Sequence, residues 1–216
     1  MFVRPNQFRN SKADVQMFYR SSVWTKPSGV SQVYMMLIGG GSSGNNSSTG
    51  GNSGNITTWF GSAQNVPDSL NINPAGLVST YSTAGNSSGI NYRGTSITTL
   101  LVASGGAAIA GTNTTDTATL FGNTGLYQNV LGQVGVAGSQ TASATTFLSS
   151  GCGGGGSTIT GNYGYLASTT SSGFFQTQPI IVGVGGAGSS TSANGVGCGG
   201  AQGGYGGQGL IMIVSW

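Results

Sequence analysis

The sequence predicts an all-β protein: a single β-sandwich, jelly-roll-like, with long loops rich in Gly, Ser and Asn. Three observations predict it. Two runs with strand composition and apolar residues on both faces stand far apart, VSQVYMMLI at Val30 to Ile38 and LIMIVSW at Leu210 to Trp216. No segment sustains a 3.6-residue apolar period. Glycine supplies 42 of the 216 residues, roughly a fifth against an average near 7%, too many for long helices.

In Val30 to Ile38, Val33, Met35 and Leu37 point one way and Tyr34, Met36 and Ile38 the other, so the strand is expected inside the sandwich. Leu210 to Trp216 has the same character, and the two are expected to share one core. Weaker strand candidates are Asp14 to Tyr19, Ile56 to Phe60, Ser69 to Ile72, Ile97 to Ala103 and Pro179 to Val184. Between them run the tracts Gly39 to Gly54, Gly151 to Gly156 and Gly183 to Gly209. These are either flexible loops or extended chains packed closely because glycine has no side chain to hold them apart, as in short polyglycine II segments. The absence of a strict G-x-y period excludes collagen.

The side chains needed for most catalysis are scarce. The chain has no His and no Glu, and its only carboxylates are Asp14, Asp68 and Asp116. General acid–base work draws mainly on His, Glu, Asp and Lys, and a Ser or Cys nucleophile needs a partner base. An enzyme is therefore not expected, and neither is a cofactor. Charged residues make up 4% of the chain against a norm of about 25%, so Ser, Thr, Asn and backbone amides must wet the surface. The 37% hydrophobic content, clustered in strand-like runs, argues against disorder. No apolar run reaches the 18 or so residues of a membrane span, and the polar start Met1 to Lys12 does not read as a secretory signal.

Five of the six basic residues lie in the first 26 positions. The chain divides accordingly into a basic and aromatic arm, 1–22, and a glycine-rich β domain, 23–216. In the arm, Phe2 and Phe8 are candidate apolar anchors, while Arg4, Arg9 and Lys12 would steer docking to an acidic surface. The competing reading is a frayed, solvated terminus. Nucleic-acid binding is not expected from a net charge of +3 without an aromatic-basic platform.

The segment VWTKPSGVSQVYMMLIGGG at Val23 to Gly41, paired with GGYGGQGLIMIVSW at Gly203 to Trp216, resembles the glycine-rich domain of bacteriophage tail-fibre and other virion structural proteins. VPDSLNI at Val66 to Ile72 and SITTLLVASGGAA at Ser96 to Ala108 are similar to that family's middle elements. The resemblance implies a structural protein on the particle surface, a capsid decoration, spike or fibre component made in the host cytoplasm. Its partners would be major capsid or tail proteins, and spikes and fibres favour a homo-oligomer, a trimer first. The alternative is a tail adhesin that binds a host surface polysaccharide or protein. The domain is preceded here by only about 22 residues, whereas family examples often append it to a shaft or attachment module, which favours decoration or spike over fibre tip.

Cys152 and Cys198 lie in matching Gly-rich surroundings; a disulfide would close a loop of about 46 residues and add roughly 3–4 kcal/mol. Two small buried thiols are the competing state, and two thiolates alone do not make a zinc site. No Gly tract contains the Lys of a phosphate loop. Asn45, Asn46, Asn55, Asn86 and Asn113 open Asn-x-Ser/Thr triplets that composition alone explains. Most aromatic residues are expected in the core, with Tyr163, Tyr165 and Tyr205, set in polar loops, as candidate surface contacts.

Overall fold

The computed structural model describes residues 13–44, 51–78, 80, 82–93, 99–108, 111–116, 124–132 and 205–216. They form nine strands: β1 (Asp14–Phe18), β2 (Ser22–Thr25), β3 (Gln32–Ile38), β4 (Ile56–Ser62), β5 (Ser69–Asn73), β6 (Ser88–Tyr92), β7 (Thr99–Ala103), β8 (Gly125–Val130) and β9 (Leu210–Ser215). Among these residues Ala63–Asn65 form a 3-10 turn. Two antiparallel sheets face each other, one ordered β1-β9-β3-β4-β8 and the other β2-β5-β6-β7. This is the expected all-β sandwich.

The core strands of the two chain ends pair directly, Met35 opposite Ile213 and Leu37 opposite Ile211. With Trp59 of the same sheet and the facing Trp24, Leu70, Ile72, Ile90 and Leu101 they build the buried core. The opposite face of β3 differs from the expectation: Ile38 is buried, but Tyr34 and Met36 are only half-buried, because no second layer of described residues covers that side. The sandwich also begins earlier than the 22/23 boundary, since β1 pairs along its length with β9.

Three strands escaped the sequence reading. β2 has four residues, β6 (SGINY) carries a single aliphatic among small and polar residues, and β8 (GLYQNV) has its apolar residues diluted by polar neighbours. Each is recruited by pairing with a stronger strand. The candidate Pro179 to Val184 lies outside the described residues, as do the Gly151 to Gly156 tract and both cysteines, Cys152 and Cys198.

Past the ends of the strands the chain continues as a bundle of extended Gly-rich segments. β3 runs out into Gly39–Gly44 and returns through Gly51–Asn55 into β4; Ser82–Ser87 leads into β6, Ser104–Ala108 leaves β7, and Tyr205–Gly209 leads into β9. The hydrogen bonds define its geometry. Gly39 N donates to Asn55 O, Gly40 N to Asn86 O and Gly41 N to Gly207 O, after which Ser42 N returns to Asn52 O and Ser43 N to Thr83 O, at 2.8–3.1 Å. Successive amides thus address three neighbouring segments in turn, a three-residue repeat that matches the polyproline II chain, and not the two-residue alternation of a strand. Gly106 N donates to Gly40 O, and Gly85 N to Gly106 O, which ties the Ser104–Ala108 segment to both.

Glycine is required here by close approach. A Cβ on Gly39, Gly54, Gly85, Gly106 or Gly206 would stand under 3.0 Å from a neighbouring backbone carbonyl. Of the two states open for the first tract, the described part adopts the packed one.

Candidate functional site

The residues nominated from sequence mostly escape description: Phe2, Arg4, Phe8, Arg9, Lys12, Tyr163 and Tyr165 lie outside the described residues. Tyr205 is described, half-buried at the start of the last bundle segment. The informative features are three that sequence did not single out: an acid inside the bundle and the two outer faces of the sandwich.

Asp116 is nearly buried, and its carboxylate collects four donors. They are Ser104 N at 2.9 Å, Asn55 Nδ2 and Asn129 Nδ2 at 3.0 Å each, and the hydroxyl of Ser104. Its backbone carbonyl accepts from the Tyr127 hydroxyl. Burial raises the Tyr127 phenol above its ordinary pKa of 10.0; the neighbouring Asp116 charge adds to the rise and a Thr57 hydrogen bond opposes it. The second triplet Asn, Asn113, spans Ser53, Gly132 and Ala107 in the same manner. With its acceptor sites filled by structural donors, Asp116 fits a clamp joining β4, β7 and β8 better than a general base.

Alternation turns every second strand residue outward. On the five-stranded sheet the register aligns Val15, Val214, Tyr34, Phe60 and Leu126 in one row and Met17, Met212, Met36, Thr58 and Gln128 in the next. None is charged. Val15, Met17 and Leu126 are 56%, 43% and 74% exposed, and the central members are half-buried. At one end Phe60 stacks on the C-terminal Trp216, with ring centroids 5.8 Å apart. An antiparallel sheet with one face in water ordinarily turns polar residues to that side, and this largely apolar face departs from that rule.

The four-stranded sheet follows the ordinary rule. Its outward residues are Val23 and Thr25 on β2, Ser69, Asn71 and Asn73 on β5, Gly89 and Asn91 on β6, and Thr99 and Val102 on β7. Here an open groove of about 450 Å³ is lined by Ser21, Ser22, Val23, Asn71, Asn73, Asn91 and Tyr92. Asn71 stands between Val23 and Asn91 across the strands. Tyr92, expected with most aromatics in the core, is 49% exposed. Outside the groove Arg93 Nη1 donates to Ser69 Oγ at 3.1 Å.

Among the described residues Lys26 Nζ forms an ion pair with Asp68 at 2.9 Å. Lys26 also donates to the carbonyls of Ala63 and Val66, so it secures the 3-10 turn. Among the described residues no helix is long and apolar enough to cross a membrane. Neither a scan against models of known protein families nor a search of characterised protein sequences finds a match.

Proposed function

We propose that the protein is a structural subunit of a bacteriophage particle, exposed at its surface as a decoration, spike or fibre component and held there by contacts with other virion subunits. The observation that carries this reading is the uncharged outer face of the β1-β9-β3-β4-β8 sheet, where Met36 pairs with Met212 at the centre, beside the apolar row of Val214, Tyr34 and Phe60. Such a face is costly in water and favourable against another apolar surface. Near-absence of charge also removes the repulsion that keeps ordinary surfaces apart. The similarity of Val23 to Gly41 and Gly203 to Trp216 to glycine-rich virion domains supplies the phage context, and a closed homotrimer is the assembly it favours. The bundle suits an exposed position, because its backbone bonds hold the segments without a large core of their own.

The test is incorporation. Washed particles should contain the protein by mass spectrometry. Met36→Lys, placing a charge at the centre of the apolar face, should remove it from particles while the purified chain keeps its far-ultraviolet spectrum. Asn71→Lys on the opposite face should load normally. Particles that lack the wild-type protein, or that load Met36→Lys as well as wild type, would overturn the reading.

A further inference from the structure

We infer that the groove on the four-stranded sheet binds a neutral saccharide. This goes beyond the virion reading and rests on the other face of the sandwich. Asn71, Asn73 and Asn91 project from adjacent positions of β5 and β6, and their carboxamides make no hydrogen bond with the described residues. Each offers an N–H₂ donor pair and a carbonyl acceptor, and the hydroxyls of Ser21 and Ser22 add groups that both donate and accept. A sugar presents the matching array, hydroxyls that donate and accept at spacings of a few ångströms.

The apolar parts of the groove fit the same ligand class. Val23 is 43% exposed on the outward face, an aliphatic patch against which the C–H face of a pyranose can pack, and Tyr92, 49% exposed at the end of β6 opposite Leu70, also lines the groove. No charged side chain lines the groove. The groups that would touch the ligand are therefore neutral donors and acceptors, which suit a neutral sugar, with Arg93 held on Ser69 just outside. A peptide adding as an extra strand needs free backbone groups at a sheet edge. β2 is such an edge and borders the groove, but Asn71, Asn73 and Asn91 lie on β5 and β6, inner strands whose backbones are paired on both sides, so a ligand over them meets carboxamides and not main-chain groups.

The experiment uses the labelled full chain on an array of neutral oligosaccharides, including maltoheptaose, cellohexaose, mannan and galactan fragments and purified uncharged bacterial O-polysaccharides, beside sialylated and phosphorylated glycans. At least one neutral glycan should be retained. Asn71→Ala should weaken that binding about tenfold, as expected for a lost ligand hydrogen bond, and Tyr92→Ala should weaken it comparably. Both positions are on the surface, and thermal unfolding of each variant verifies its fold; the near-isosteric Asn91→Asp provides a second probe, since it replaces a donor with a charge and should also lose binding. Retention of no neutral glycan, retention of acidic glycans alone, or equal binding by wild type and the Asn71→Ala variant would overturn the inference.

Discussion

The sandwich and the bundle are built from one continuous chain, yet they are held together by opposite means. In the sandwich, cohesion comes from side chains: Trp24, Trp59, Met35 and Leu37 are removed from water and the backbone follows a two-residue alternation. In the bundle it comes from the backbone, with amides addressing three neighbours in turn and carbonyls standing where side chains would be. The first should suffer from the removal of atoms and the second from their addition.

The largest expected effect tests that inversion. The double variant Gly106→Ala/Gly206→Ala would drive two methyls into the carbonyls of Asn52 and Gly41. Each overpacking should cost roughly 3 kcal/mol, comparable to the roughly 2–5 kcal/mol of the core truncation Leu37→Ala. Together they should abolish cooperative unfolding of the purified chain in a urea titration. Gly76→Ala has its nearest obstacle, Asn86 Nδ2, at 3.9 Å and should leave the midpoint almost unchanged. A tolerated double variant would break the comparison, since it would mean that the segments can separate at little cost.

A second test lies where the two regions join. Asp116→Ala leaves Ser104 N without its acceptor and removes one acceptor each from the carboxamides of Asn55 and Asn129, which keep Thr114 O and Thr57 Oγ1. The lost bonds should lower stability by about 2–3 kcal/mol. Asp116→Asn should recover much of it, because its carbonyl oxygen can take the three N–H donors that converge on Oδ2 while its amide donates to the Ser104 hydroxyl. A loss well under 1 kcal/mol for Asp116→Ala in chemical denaturation would show that the clamp contributes little beyond the bundle's own bonds.

The same division explains what could be read from the sequence. Periodicity reports side chains, so β3 and β9, with Val33, Met35, Leu37, Ile211 and Ile213 on one face, were legible, and so was their common core. β6 and β8 were not, because Ile90 and Tyr127 each stand nearly alone in strands defined by their neighbours. The composition of the Gly tracts left two states open; only long-range pairs such as Gly40 with Asn86 and Gly41 with Gly207 distinguish them. The groove was invisible for a similar reason. Asn71 and Asn91 are ordinary polar residues until the register of β5 and β6 sets them side by side. The apolar outer face was half visible, as the second apolar side of β3 and β9, but it was assigned to the interior of the sandwich when it lies on its outside.

The smallest expected effect concerns that face and is read in alkali. Burial raises the Tyr34 phenol above its ordinary value of 10.0, so the folded chain holds this proton more tightly than the unfolded chain. Below pH 10 both states are protonated and the group makes no difference to stability. As pH rises above about 10 the unfolded chain releases the proton first, and stability falls, by at most about 1.4 kcal/mol per pH unit for one group. Tyr127 is displaced in the same direction, so Tyr34→Phe should remove only part of the alkaline slope in urea midpoints collected between pH 9 and 11. Tyr34 lies in the outward row with Val214 and Phe60, where contact with another subunit would bury it further. Its tyrosinate absorbance should therefore develop at higher pH in assembled particles than in the isolated chain, identified as the component missing from Tyr34→Phe particles. A Tyr34 component that develops at the same pH in both would mean that this row stays in water, and the apolar face would then need another explanation.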